Sequence, residues 1–398
     1  DVDGDGDLDL FVGGRVIPGK YPFPASSRLF RNDGGTWRVD SENSKVLEQA
    51  GLVSGAVLSD LDGDGDPDLI LACEWGPLRI YRNEGGKLTE WNLLLRWPSS
   101  PSLNPQPSTL NPLTGWWNSV ATGDFDGDGQ MDIVAANWGR NTQYESHRSR
   151  PLHVYYGDFD GDGTVDLVEA HFEPALEKIA PQRQFEALVR AMPFLRERFS
   201  SHRAYSMADI EEILGSRMKS ARVGQANWLE STLFLNRGDR FEPRVLPVEA
   251  QFAPAFGLCV VDCDGDGQED IFLAQNFFAV QPETPRYDGG RGLWLKGDGQ
   301  GGFMALPGQQ SGVKVYGEQR GAAVGDYDGD GRLDLAVSQN GAATKLYRNV
   351  SARPGLRIRL AGPAANTLGV GATLRLMYGE RPGPARETQA GSGYWSQD

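Results

Sequence analysis

The sequence predicts an all-β fold, a β-propeller carrying one helical insert and followed by part of a small β-domain, and three observations predict it. One acidic loop, D-x-D-G-D-G-x-x-D, occurs six times, beginning at Asp1, Asp60, Asp124, Asp158, Asp262 and Asp326. Every copy runs straight into a strand-like segment: LDLFVGG, PDLILAC, MDIVAAN, VDLVEAH, EDIFLAQ and LDLAVSQ. A longer unit recurs around the loops. Strand-like segments precede several of them (54–59, 119–123 and 257–261), and a third strand ending in a turn follows in LFRNDGG (29–35), IYRNEGG (80–86), LFLNRGD (233–239) and LYRN (346–349). Asn-x-Gly is good hairpin-turn chemistry because both residues tolerate positive φ. Segments such as Thr36–Asp40 and Arg240–Leu246 supply a fourth strand. Four antiparallel strands per unit, with loops 59 and 64 residues apart at the start of the chain, describe propeller blades. Asp124 and Asp158 are only 34 apart, which places those two loops on two hairpins of one blade.

The loop chemistry points to a hard cation. Carboxylates at positions 1, 3, 5 and 9 repel one another unless a cation sits among them, and glycines at positions 4 and 6 let the chain turn so that the oxygens converge. Calcium suits such a site, because it accepts six to eight oxygens at about 2.3–2.6 Å in irregular geometry. The expected ligands are Asp1, Asp3, Asp5, Asp7 and Asp9; Asp60, Asp62, Asp64, Asp66 and Asp68; Asp124, Asp126, Asp128, Gln130 and Asp132; Asp158, Asp160, Asp162, Thr164 and Asp166; Asp262, Asp264, Asp266, Gln268 and Asp270; and Asp326, Asp328, Asp330, Arg332 and Asp334. Position 7 varies in kind, as expected if only its main-chain carbonyl binds. These are not EF-hands, which need a bidentate Glu at position 12 and flanking helices. Position 12 here is Val12, Leu71, Ala135, Glu169, Leu273 or Val337.

Charge and cysteine usage bound the function. Of the acidic residues, 26 are loop aspartates, and six bound Ca²⁺, +12 in all, would bring the formal charge from −15 to −3. The acidity is therefore mostly ligand charge, and nothing supplies the basic stripe that nucleic-acid binding needs. Three cysteines (Cys73, Cys259, Cys263) make no disulfide framework. Metal staples would do that work at the millimolar calcium found outside cells, so an extracellular or cell-surface location is expected, with the export signal upstream of residue 1 and no direct membrane insertion.

Two stretches break the repeat. Residues 97–115 are rich in Pro, Ser and Asn and read as a surface loop. From about 173 to 226 the pattern turns helical: Phe185, Leu188, Met192, Leu195 and Phe199 share one helical face, and Ser206 with Asp209 reads as a capping box opening a helix over Met207–Leu214. This insert is the feature a propeller least requires, and hence a candidate for specific function.

The loops, together with PAFGLCVVDCDGDG and GEQRGAAVGDYDGDG, resemble the FG-GAP/VCBS repeats of integrin-α-type propellers. The segment from Leu356 to Gln397 is similar to the ASPIC/UnbV domain of secreted proteins related to cartilage acidic protein. The residues carrying that likeness are Asn366, Gly369, Gly371, Ala372, Gly391, Ser392, Gly393, Tyr394, Ser396 and Gln397. GGRVIPGKYPFP and ANWGRNTQYE resemble bacterial secreted or cell-surface members. The resemblance implies a propeller over 1–350, seven-bladed when complete, and a partial ASPIC/UnbV-like domain over 351–398; both chain ends read as fragment ends. The expected function is a non-enzymatic scaffold for protein–protein interaction, adhesion or self-assembly on a cell surface or in a matrix. A glycan-binding module is the second reading and a lyase or hydrolase the third. The tripeptide Arg237-Gly238-Asp239 occupies the turn slot of NDGG and NEGG, which explains it without adhesion. His147, His153, His171 and His202 are few, and no nucleophile elbow, P-loop, HExxH or CxxC accompanies them. Clustered with Glu169, the first three could hold a transition metal. The tryptophans Trp75, Trp91, Trp97, Trp116, Trp117 and Trp138 read as packing between blades or, where exposed, as sugar-stacking surfaces.

Overall fold

The aspartate loops sit at hairpin tips in the computed structural model, which describes residues 1–97, 109–144 and 150–391. In five of the six, the residue before position 1 pairs with the position-9 aspartate: Ser59 with Asp68, Gly123 with Asp132, Gly157 with Asp166, Val261 with Asp270 and Gly325 with Asp334. The two glycines take the left-handed backbone that the tight loop demands, as in Gly63 at φ 76° and Gly65 at φ 92°.

The fold is all-β and propeller-like. Blade 1 holds Leu10–Val12, Arg28–Asp33 and Thr36–Val39. Blade 2 orders Leu52–Ser59, Asp68–Pro77, Arg79–Glu84 and Lys87–Glu90, with Thr114–Trp116 added beside Asp68–Pro77. Blade 3 orders Ser119–Gly123, Asp132–Ala136, Thr232–Asn236 and Arg240–Val245, with Leu94–Leu95 parallel at its edge. Blade 4 orders Ala255–Val261, Asp270–Gln275, Leu293–Gly297 and Phe303–Leu306; blade 5 orders Glu318–Gly325, Asp334–Asn340 and Ala342–Tyr347. The first strands of blades 2, 3, 4 and 5 lie side by side in that order. The strand after the loop in blades 2, 3 and 4 is apolar on both faces because it is sandwiched between neighbouring blades. Leu69 and Leu71 face blade 1, while Ile70 and Ala72 face blade 3. Ile133 faces blade 2 and Val134 blade 4; Ile271 and Leu273 face blade 3, and Phe272 and Ala274 face blade 5.

The Asp124 and Asp158 loops do not share a blade, contrary to their spacing. Strand Asp132–Ala136 pairs with Thr232–Asn236, so the chain leaves blade 3 after Ala136 and returns almost a hundred residues later. The Asp158 loop belongs to a separate four-stranded sheet built inside that excursion, ordered Lys178–Pro181, Asp166–Glu173, Leu152–Gly157, Arg222–Ala226. The returning strand completes the blade 3 loop: Asp132 accepts a backbone N–H from Asn236 at 2.7 Å.

The helical part of the insert is narrower than 173–226. Strands Asp166–Glu173, Lys178–Pro181 and Arg222–Ala226 claim both of its ends, and helices run from Phe185 to Lys219. The face carrying Phe185, Leu188, Met192 and Leu195 is buried against Tyr155, Val168 and Ala170 of the inserted sheet. Pro193 divides it into Phe185–Ala191 and Leu195–Arg198. The capping box is one residue set later than Ser206 implies. Asp209 accepts from Glu212 N at 2.7 Å and opens Ile210–Leu214, while Ser206 Oγ donates back to Arg203 O in the preceding helix.

Beyond blade 5, Asn366 ties a turn by accepting from Val370 N at 2.8 Å, and Gly369 and Gly371 follow it with positive φ. The hairpin Thr373–Tyr378/Arg381–Glu387 then folds back over the loop-bearing side of the ring. Ala385 N donates to Asp124 at 2.8 Å, Arg386 Nε to Glu269 at 2.6 Å, and Ser59 Oγ to Glu387 at 2.5 Å, so one strand touches blades 2, 3 and 4. Residues 98–108 of the surface loop, His147, and Ser392, Gly393, Tyr394, Ser396 and Gln397 lie outside the described residues.

Phe234, fully buried on the returning strand of blade 3, tests this topology. Phe234→Ala is expected to lower the unfolding free energy by about 3–5 kcal/mol, read from urea denaturation.

Candidate metal centres

Each loop is wound around its own first aspartate. The position-6 glycine donates to the position-1 carboxylate at 2.9–3.1 Å in all six: Gly6 to Asp1, Gly65 to Asp60, Gly129 to Asp124, Gly163 to Asp158, Gly267 to Asp262 and Gly331 to Asp326. The position-7 N–H donates to the position-5 carboxylate, at 2.8–3.0 Å, in Asp7–Asp5, Asp66–Asp64, Gln130–Asp128, Thr164–Asp162, Gln268–Asp266 and Arg332–Asp330.

The convergent oxygens come from positions 1, 3 and 9. Asp60, Asp62 and Asp68 each bring one carboxylate oxygen within 4.8 Å of the others, as do Asp124, Asp126 and Asp132; Asp158, Asp160 and Asp166; and Asp262, Asp264 and Asp270. In the first loop the grouped set is Asp1, Asp3 and Asp5. Position-7 side chains point elsewhere. Asp7 accepts from Gly34 N at 2.5 Å and Asp66 from Gly85 N at 2.7 Å, both in the turn of the neighbouring hairpin. Gln130 Nε2 and Arg332 Nη1 donate to the position-5 aspartates Asp128 and Asp330, and Thr164 Oγ1 donates to Asp162.

Position 9 has a second task. Its Oδ2 accepts from the position-2 N–H, as in Leu61 to Asp68 at 3.0 Å and Phe125 to Asp132 at 2.9 Å. Its Oδ1 accepts from the third strand: Asn32 to Asp9, Asn83 to Asp68, Asn236 to Asp132, Gly297 to Asp270 and Asn349 to Asp334, at 2.7–3.0 Å. Asp68, Asp132, Asp270 and Asp334 are buried as a result. Burial pushes the Asp68 carboxyl up to about 7 and that of Asp132 to about 8, and the N–H donors and neighbouring aspartates adjust this only in part. A buried carboxylate in acidic company is held ionised only by a positive partner.

Two classes of residue at these sites escaped the motif reading. The turn asparagines do more than turn. Asn83 Nδ2 donates to Val2 O at 2.8 Å, Asn236 Nδ2 to Leu61 O at 2.7 Å, and Asn349 Nδ2 to Cys263 O at 2.8 Å, so each stitches its blade to position 2 of the preceding blade's loop. Blade 4 has Gly297 in that slot, and the Gly301 N–H reaches Phe125 O instead. Beside each of these stands a cation. Arg82 pairs with Asp62 at 2.5 Å and Asp64 at 3.7 Å, Arg237 with Asp126 at 2.7 Å and Asp128 at 3.3 Å, and Arg348 with Asp328 at 2.6 Å and Asp330 at 3.2 Å. Arg31 meets Asp3 at 3.0 Å, and Lys296 holds both Asp264 and Asp266. The recurring Arg-Asn of LFRND, IYRNE and LYRN was the available signal. Arg237 is therefore turned onto the Asp124 loop, and Gly238 has φ 77°, as a turn requires. The Asp158 loop has no such basic partner among the described residues.

Among the described residues the histidines do not assemble. His153 stands opposite Ala170, so it and His171 point to opposite faces of the inserted sheet. His202 is exposed on a helix.

The family model described as FG-GAP-like repeat matches residues 1–71, 60–135 and 262–337, together more than half of the chain. No curated protein matches. Among solved structures, Bacillus licheniformis Rhamnogalacturonan Lyase PL11 aligns at 12% identity and a TM-score of 0.34, over 88% of this chain and 55% of that one. The chain thus spans little more than half the length of that structure.

Two outcomes follow from the buried aspartates. Asn236→Ala strips donors from the carbonyls of Leu61 and Met131 and is expected to cost about 1–3 kcal/mol in chemical denaturation. Because Asp68 and Asp132 hold protons more tightly folded than unfolded, the metal-free protein should lose stability as pH rises from about 4 through 8. Its melting temperature, followed by circular dichroism, should be higher at pH 6 than at pH 8, and millimolar calcium should abolish or invert that trend.

Proposed function

Because this chain belongs to the FG-GAP-like repeat family, we propose that it is a calcium-stabilised, extracellular, non-enzymatic scaffold whose ring offers a rigid face for protein interaction, adhesion or self-assembly. The observation that carries the reading is the repetition of one geometry: carboxylate oxygens from three aspartates within 4.8 Å at the same end of successive blades. Only oxygen ligands are offered, several per site, in a loop that can adjust, and these are the demands of calcium. The carboxylates of positions 1, 3, 5 and 9 would bind it, with the position-7 carbonyl completing each site. Its role is mechanical. It neutralises the loop tips, and through position 9 it secures the third strand and the next blade. Sites that fill at millimolar calcium work outside the cell, where this chain would meet its partner on a surface or in a matrix. The C-terminal hairpin, with its Asn366 turn, would be the start of an ASPIC/UnbV-like domain docked on the loop side.

Size-exclusion chromatography with light scattering, in millimolar calcium and again in EGTA, tests this. A defined folded species in calcium that expands, dissociates or unfolds on chelation is expected. A hydrodynamic radius and melting temperature indifferent to EGTA would overturn it.

A further inference from the structure

The ring face opposite the aspartate loops carries a continuous row of aromatic rings. Trp75 lies near the end of the blade 2 strand Asp68–Pro77, Trp138 just past the blade 3 strand Asp132–Ala136, and Phe277 just past the blade 4 strand Asp270–Gln275, so all three reach the same face. Trp116 bridges Trp75 and Trp138 edge-to-face at 4.8 and 5.2 Å, and Trp138 continues to Phe277 at 5.1 Å and Tyr287 at 5.6 Å. Tyr144 meets Trp116 at 4.8 Å.

The inserted sheet sets polar groups against this row. Arg183, just past strand Lys178–Pro181, meets Glu169 at 3.1 Å and reaches Glu283, from the blade 4 loop that also holds Phe277 and Tyr287, at 3.5 Å. Burial, and next the charge of Glu169, hold the phenols of Tyr144 and Tyr287 above their ordinary range. Side-chain exposure is 24% for Glu169, 22% for Arg183 and 33% for Glu283, so Glu283 is the most open of the three, while the Glu169 Oε2 that meets Arg183 is shielded from water. Two further features accompany it. Trp75 (φ 53°) and Asn276 (φ 90°) hold left-handed backbone that non-glycine residues avoid, a strain that marks positions constrained by more than the local chain. Trp116 Nε1 and Gln182 Oε1 are buried with no hydrogen-bond partner among the described residues.

We infer that this seam between the inserted sheet and the ring is a binding site for a neutral oligosaccharide. A sugar ring offers an apolar C–H face and flanking hydroxyls that donate and accept. Half-buried Trp138 and Phe277 supply the stacking surface, and the Glu169, Arg183 and Glu283 side chains supply acceptors and donors for adjacent hydroxyls. Two carboxylates share one guanidinium here, and Arg320, 3.9 Å over the Phe256 ring, is paired with Glu318, so these two cations are already neutralised and disfavour a polyanionic chain. The inference rests on the ring as a rigid scaffold and names what that scaffold displays.

The test uses the full chain in millimolar calcium, titrated with cello-, xylo-, manno- and malto-hexaose and with a hexagalacturonate, followed by tryptophan fluorescence and calorimetry. Saturable binding of at least one neutral hexaose is expected, weakened about tenfold or more by Trp138→Ala and by Glu283→Gln. Glu283 is exposed, so E283Q should keep the wild-type melting temperature even if W138A does not. Binding by none of the neutral hexaoses, binding by hexagalacturonate alone, or binding untouched by E283Q would overturn the site. Chelation separates the two readings: neutral-hexaose binding by a protein whose melting temperature ignores EGTA would leave the site standing and remove the calcium role.

Discussion

The position-9 aspartate of each blade, buried in blades 2 to 5, is the interaction on which the rest of this structure depends. It closes its loop by accepting from position 2, joins the loop to the third strand by accepting from the Asn or Gly there, and stands within reach of the position-1 and position-3 oxygens. Four such residues, Asp68, Asp132, Asp270 and Asp334, are almost wholly shielded from water. An anion so placed is unfavourable unless every lone pair is engaged and its charge is balanced. The hydrogen bonds meet the first demand. The basic side chain beside the loop and the proposed cation meet the second.

The same arrangement explains how blades are held in order. The asparagine that serves its own aspartate through its backbone spends its side chain on the preceding loop, so local closure and inter-blade attachment share one residue. Apolar alternation then does the bulk of the work, with odd and even positions of each central strand filling different blade-to-blade seams. Among the described residues the Asp158 hairpin has the loop but neither the asparagine nor the carboxylate-paired cation, and it leaves the ring to form its own sheet. That sheet uses its freedom to carry helices on one face and to lay Glu169 against the aromatic row with the other.

Legibility followed the range of the interactions. Loop positions, strand directions and the β-rich blades were readable because they are set within about a dozen residues. The turn motif was readable as a turn, but Asn236 and Arg237 act on Leu61, Met131 and Asp126, which no local pattern connects to them. The pairing of Asp132–Ala136 with Thr232–Asn236 was hidden for the same reason: a spacing of 34 between two loops cannot say which strand lies between them in space. Met192 and Leu195 were readable as one apolar face, while Pro193 decided that the face belongs to two short helices.

By itself, then, the sequence determined the composition of each unit: where carboxylates gather, where the backbone must turn through positive φ, and which strands are apolar on both sides. These are properties of contiguous residues, governed by sterics and charge over a few bonds. Only the tertiary structure decided which units are neighbours, which loop stands apart, and that Trp138, Tyr287, Glu169 and Arg183, drawn from three separate stretches, share one surface. Those outcomes depend on the burial of faces between distant segments, an energy that exists only once the chain has closed on itself.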